Sequence, residues 1–138
     1  MNKLTLIALF FAAAFISSCK EEEPTVEAQL IGVWNLNEYY VDGELDVELL
    51  DLMTMNYEFL AGGTGKKTIN DLFVQPCKWS YDDTNKKLTL MIEDLAIEGG
   101  TVLGDTIVAD ITKLDETNLW LSHDEDGLAI GERYLKSN

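Results

Sequence analysis

The thiol of Cys19 is the group best placed to do chemistry in this 138-residue chain, because it directly follows an apolar run, Leu4–Ile16, and two small residues, Ser17-Ser18. The run holds 13 residues behind a single lysine, Lys3. A spanning helix needs about 20, so residues 1–18 are predicted to be a secretory signal that is removed. Cys19 then becomes the first residue of the mature chain. The other reactive residues assemble into no known reaction. The sole histidine, His123, lies between Ser122 and Asp124 with no Ser-His-Asp or Cys-His arrangement within reach in sequence, and it is expected at a strand end on the surface. Residues 61–68 imitate a phosphate loop, but Leu60 stands where the first glycine belongs and Lys67 where a serine or threonine must hold magnesium. Asp124-Glu125-Asp126-Gly127 offers oxygens that suit calcium, yet Ser122 and Arg133 occupy the first and twelfth places of a calcium-binding loop, with Glu132 one place early. No pair of acids has a setting distinctive of glycoside hydrolysis. Neither enzyme activity, a cofactor nor a metal site is expected.

From Leu30 onward the dominant period is two. Met53, Met55, Tyr57 and Phe59 alternate with polar residues, as do Cys77, Trp79 and Tyr81, then Leu88, Leu90 and Ile92, then Ile107, Ala109 and Ile111, and finally Leu119 and Leu121. Such alternation makes antiparallel strands with one buried and one wet face. Turn signals separate them at Asp42-Gly43, Gly62-Gly63, 82–85, 115–117 and 124–127. About eight strands are predicted, near 31–41, 53–60, 65–73, 77–82, 87–93, 105–114, 117–123 and 129–136. The fold class is therefore all-β, an eight-stranded antiparallel up-and-down β-barrel, with a β-sandwich as the alternative. Glu44–Leu52, with Leu45, Leu49 and Leu52 at helical spacing, reads as a short helix over one mouth, or else as a loop or an early start of the second strand.

Composition narrows the partners. Lys3 leaves with the signal, so 9 basic residues face 25 acidic ones in the mature chain, a formal balance of −16. That charge repels nucleic acid and anionic lipid headgroups alike. Residues 19–27, with Lys20-Glu21-Glu22-Glu23 and Pro24, read as a flexible acidic tether, leaving one domain over 28–138. Cys77 is the only thiol within that domain, which excludes an intramolecular disulfide framework and predicts a buried cysteine.

Two resemblances extend this reading. Ile16-Ser17-Ser18-Cys19 resembles the bacterial lipobox, which implies acyl chains on Cys19 and attachment to a bacterial outer membrane, since two or more chains anchor firmly without a transmembrane helix. The tether resembles the basic-then-acidic stretch that sends some Bacteroidetes lipoproteins to the outer face of that membrane, although a plain solvated spacer reads equally well. In the domain, Gly32-Val33-Trp34 is similar to the G-x-W of the first strand of lipocalins, and Arg133, the only arginine, falls in the last strand. With Tyr57-Glu58-Phe59, Trp79-Ser80-Tyr81, Ile111-Thr112-Lys113-Leu114 and Leu119-Trp120-Leu121, the order of motifs over 30–136 resembles the lipocalin-like domains of Bacteroidetes lipoproteins. The resemblance implies that Arg133 packs across Trp34 to close one end, and the lipocalin-like assignment should be dropped if the two side chains lie far apart.

It also implies binding or presentation of a small apolar ligand inside the barrel. The candidate pocket residues are Met53, Met55, Tyr57, Phe59, Trp79, Tyr81 and Leu90, and the same residues could equally form a packed core. The alternative is a surface interaction subunit that meets a glycan or an outer-membrane protein through outward aromatics, Trp120, Tyr39 or Tyr40.

Overall fold

The computed structural model describes Cys19 and residues 21–138, so the signal-like segment 1–18 and Lys20 lie outside the described residues. The elements run in chain order as α1 (Val26–Leu30), β1 (Gly32–Val41), β2 (Glu44–Leu45), α2 (Val47–Leu52), β3 (Met55–Leu60), β4 (Thr64–Ile69), β5 (Phe73–Asp82), β6 (Lys87–Ile92), β7 (Leu95–Ile97), β8 (Gly100–Val102), β9 (Asp105–Leu114), β10 (Asn118–Glu125) and β11 (Leu128–Lys136). Neighbours pair in the order β1-β3-β4-β5-β6-β9-β10-β11, all antiparallel, and β11 returns to pair with β1. The sheet therefore closes into the expected eight-stranded up-and-down barrel, leaving β2 at the end of one strand and β7-β8 as a separate hairpin.

Local chemistry explains these elements. Asp42-Gly43 and Asp126-Gly127 each place both residues at positive φ, the mirror-image turn whose twist suits two-residue hairpins. The register of β1 against β11 slips between Leu36 and Glu38. One extra residue reverses the alternation, so Trp34 faces the interior before the slip and Tyr39 after it. Tyr39, expected outside, therefore points inward.

Two elements are absent from the alternation pattern. Helix α1 begins inside the stretch expected to be tether. The Thr25 hydroxyl accepts a hydrogen bond from the Ala28 amide at 3.2 Å and caps it, and Val26 and Leu30 pack against the core. The β7-β8 hairpin is tied to the barrel by Gln75, which is buried and donates through Nε2 to the carbonyls of Glu93 and Leu103 at 3.0 and 3.1 Å. The segment 44–52, expected to be helix, loop or an early start of the second strand, forms β2 and then α2, capped by Asp46, whose carboxylate accepts from the Leu49 amide.

The two ends of the barrel differ. At the closed end α1 forms a plug, with the Trp34 indole N–H donating to the Leu30 carbonyl at 2.7 Å. Above it lies a stack of rings: Tyr57 on Phe59 at 5.7 Å, Phe59 against Trp79 at 5.5 Å and Tyr57 against Tyr134 at 5.8 Å. Each such side chain contributes about 1.5–3 kcal/mol on burial, which places the main store of stability here. The Trp79 indole N–H is shared between the carbonyls of Leu60 and Thr64, at 3.1 and 3.0 Å. No helix among the described residues is long and apolar enough to cross a membrane.

Candidate functional site: the open mouth

At the opposite end, under α2, the interior turns polar. A cavity of about 190 Å3 is lined by Leu49 of α2, Met53, Met55 of β3, Lys67 of β4, Asp105 and Ile107 of β9, His123 and Glu125 of β10, Glu132 of β11, and Tyr39. Strand alternation delivers these groups. His123 and Glu125 continue the inward phase of Leu119 and Leu121, and Glu132 sits in phase between Ile130 and Tyr134. Tyr39 pairs directly with Glu132, and His123 lies diagonally across from it.

The electrostatics are those of an unfinished site. Glu132 is only 4% exposed, and His123 Nε2 stands 3.5 Å from Glu132 Oε2, an ion-pair separation longer than a hydrogen bond. Neither of those atoms has a hydrogen-bond partner, and one layer deeper the buried hydroxyls of Tyr57 and Tyr134 have none either. Leaving a buried polar atom unpaired costs about 1–3 kcal/mol, a cost that the attraction between His123 and Glu132 offsets in part. The Glu132 carboxylate is the chief influence raising the His123 pKa, against the opposing pull of burial. Burial draws the Lys67 ammonium below its ordinary range, while Glu132, Asp105 and Glu125 work the other way. Burial likewise raises Tyr39, with Glu132 adding to it.

Of the pocket residues read from sequence, Met53 and Met55 line this cavity. Tyr57, Phe59 and Leu90 are fully buried and packed together as core. Trp79 and Tyr81 lie at the far end of the barrel, beside a separate groove bordered by α1 and Gly62-Gly63. The residues missed were the polar ones. His123 was expected at the surface, yet its side chain is only 6% exposed. Extending the phase of Leu119 and Leu121 by two residues would have found it.

The expected pairing of Arg133 with Trp34 does not form. Alternation with the inward Ile130 and Tyr134 turns Arg133 outward, where its guanidinium lies 4.2 Å over Trp120 and 4.6 Å over Tyr40 and pairs with Glu38 at 2.8 Å. The cation over Trp34 is instead Lys136, at 4.9 Å, and its ammonium also donates to the Gln29 carbonyl. Gly32 makes this crossing possible, because its φ is +135° and a β-carbon there would meet Lys136 Cε at 2.6 Å.

Trp120 faces outward as expected, but Arg133 and Lys113, the latter at 4.6 Å, both lie over its ring. That ring is already engaged, which weighs against a sugar stacking on it. Cys77 is buried, and burial pushes its thiol up to about 11, making it inert. The calcium-like acids 124–127 form a hairpin turn that sends Glu125 inward, and among the described residues no three His, Cys, Asp or Glu side chains converge to hold a metal.

In comparisons with known proteins, no protein-family model and no curated protein matches the chain. Among solved structures, it is similar to the crystal structure at 1.95 Å of a lipocalin-like protein from Bacteroides thetaiotaomicron VPI-5482, with 20% identity over 84% of this chain and 100% of that one and a TM-score of 0.49. The barrel is established by the chain's own strand pairing.

Proposed function

We propose that this protein is a lipid-anchored binding protein of the bacterial outer membrane, held by acyl chains on Cys19, that takes a small polar ligand in its open mouth and catalyses no reaction. One observation carries the reading. The cavity is walled by the side chains of Glu132 and His123, both almost wholly buried and held to each other by an ion pair with no hydrogen bond at either atom, beside Lys67, Asp105 and Tyr39. A ligand with donors and acceptors would satisfy groups that the fold leaves unsatisfied.

Size argues against a long acyl chain. At about 30 Å3 for each water in the liquid, 190 Å3 corresponds to the room of roughly six waters, which suits a small molecule. The apolar ligand suggested by the sequence would have to displace the packed rings of Tyr57, Phe59 and Trp79. Met53, Met55, Leu49 and Ile107 leave the cavity one apolar wall, which suits a small molecule with a short hydrocarbon part.

Native mass spectrometry of the chain lacking residues 1–20, which retains every described element, tests this directly. A retained mass of about 200 Da or less, lost on Glu132→Gln, is the expected result. A retained fatty acid, or an unliganded mass that no small polar metabolite mixture shifts, would overturn it.

A further inference from the structure

The mouth carries a second feature that the cavity does not use. Four connections form its rim, residues 42–54, 70–72, 93–104 and 126–127, and together they hold ten acidic residues and no lysine or arginine. The same rim exposes large aliphatic side chains. Leu52, Leu72 and Leu103 are 77–80% exposed, and Leu45, Val47 and Leu128 about half exposed. Leu52 and Leu72 lie on adjoining segments, because the Asn70 side chain accepts from the Thr54 amide at 2.8 Å and the Asn70 amide donates to the Thr54 carbonyl. Beside them runs an open groove of about 760 Å3 between the β1-β2 turn and α2, where Val41, Leu45 and Val47 alternate with acids. The closed rim is different in kind, since Lys86, Lys87 and Lys113 pair there with Asp83, Asp110 and Asp115.

From this we infer that the mouth rim is a docking surface for a protein partner presenting apolar side chains flanked by lysines or arginines. Charge decides between the occupants such a surface could take. An anionic membrane shares the rim's sign and is repelled, and the chain enters the barrel through α1 at the opposite end, which turns the mouth away from any membrane that holds Cys19. A second copy docking rim to rim would oppose ten acids to ten with no counter-charge. A cationic partner gains from both halves of the surface, with its apolar groups covering the leucines and its charges steering approach in a salt-dependent way.

The test is an NMR titration of the 15N-labelled chain lacking residues 1–20 with an amphipathic Leu/Lys peptide of about 18 residues, against a Ser/Lys peptide of equal charge and a Leu/Glu peptide. Saturable shifts confined to the four rim segments are expected, with affinity at least about tenfold above that of the Ser/Lys peptide and no response to Leu/Glu. Replacing Leu52, Leu72 and Leu103 together by Ser should weaken binding about tenfold while the remaining spectrum stays that of the folded barrel. Equal binding of the Ser/Lys peptide, or shifts spread over residues 83–86 and 115–117, would reduce the effect to diffuse charge attraction and overturn the proposal. Dimerisation in sedimentation, or capture by phosphatidylglycerol vesicles, would overturn it in favour of those occupants.

Discussion

The closed end and the open mouth of this barrel are built on the same strands to opposite rules. At the closed end both buried indoles have hydrogen-bonded N–H groups and the aromatic rings touch ring to ring. At the mouth His123 and Glu132 face each other at 3.5 Å with no hydrogen bond at either atom, and among the described residues no rim acid from the four connections takes part in an ion pair. One end is optimised for stability, whereas the other holds groups that would be worth removing if stability were their only purpose. Apolar packing and buried polar groups are thus concentrated toward opposite ends of the same strands.

The sharpest way to break this comparison is to damage the closed end. Trp34→Ala should lower stability by about 3–5 kcal/mol, the usual range for truncating a buried aromatic, as read by urea denaturation. Gly32→Ala should follow at about 1–3 kcal/mol, because it forces a side chain onto positive φ and into the path of Lys136. Lys136→Met keeps most of the stem over Trp34 but removes the cation, for a loss of about 0.5–2 kcal/mol. Arg133→Met should cost less, since its pair with Glu38 is partly solvated, and an effect larger than that of Lys136→Met would restore the arginine to the closing role.

Mouth substitutions should behave differently. Glu132→Gln should lower stability at neutral pH by less than Trp34→Ala, since a neutral isostere escapes the desolvation of a buried carboxylate but gives up the ion pair with His123, while abolishing ligand retention. The smallest effect is the pH dependence owed to His123. Its folded pKa is raised by Glu132, so its contribution is fully present below the unfolded value of about 6.5 and is lost as pH rises through the raised folded value. The stability difference between wild type and His123→Gln should therefore shrink across that window. A constant difference would mean that the pair is not coupled.

Period-two alternation made the barrel legible in the sequence, since buried apolar residues advertise their phase. It concealed the site for the same reason. His123, Glu132 and Lys67 occupy inward positions but look like surface residues, and only phase continuity from Leu121, Ile130 and Ile69 reveals where they point. The bulge between Leu36 and Glu38 added a second obstacle, because nothing in the residues around Asn37 announces that the phase will change before Tyr39. The lipocalin-like resemblance placed a cation over Trp34 but attached it to the wrong residue, three positions too early in the last strand.

The seam of the barrel has a kinetic consequence. A ladder from Trp34 opposite Lys136 to Val41 opposite Ile130 joins the first strand to the last, so the barrel cannot close until that last strand is present. Contacts of such high sequence separation form late and slowly. Such a chain emerging from synthesis has no early route to a finished fold, and its first strand must wait for its last.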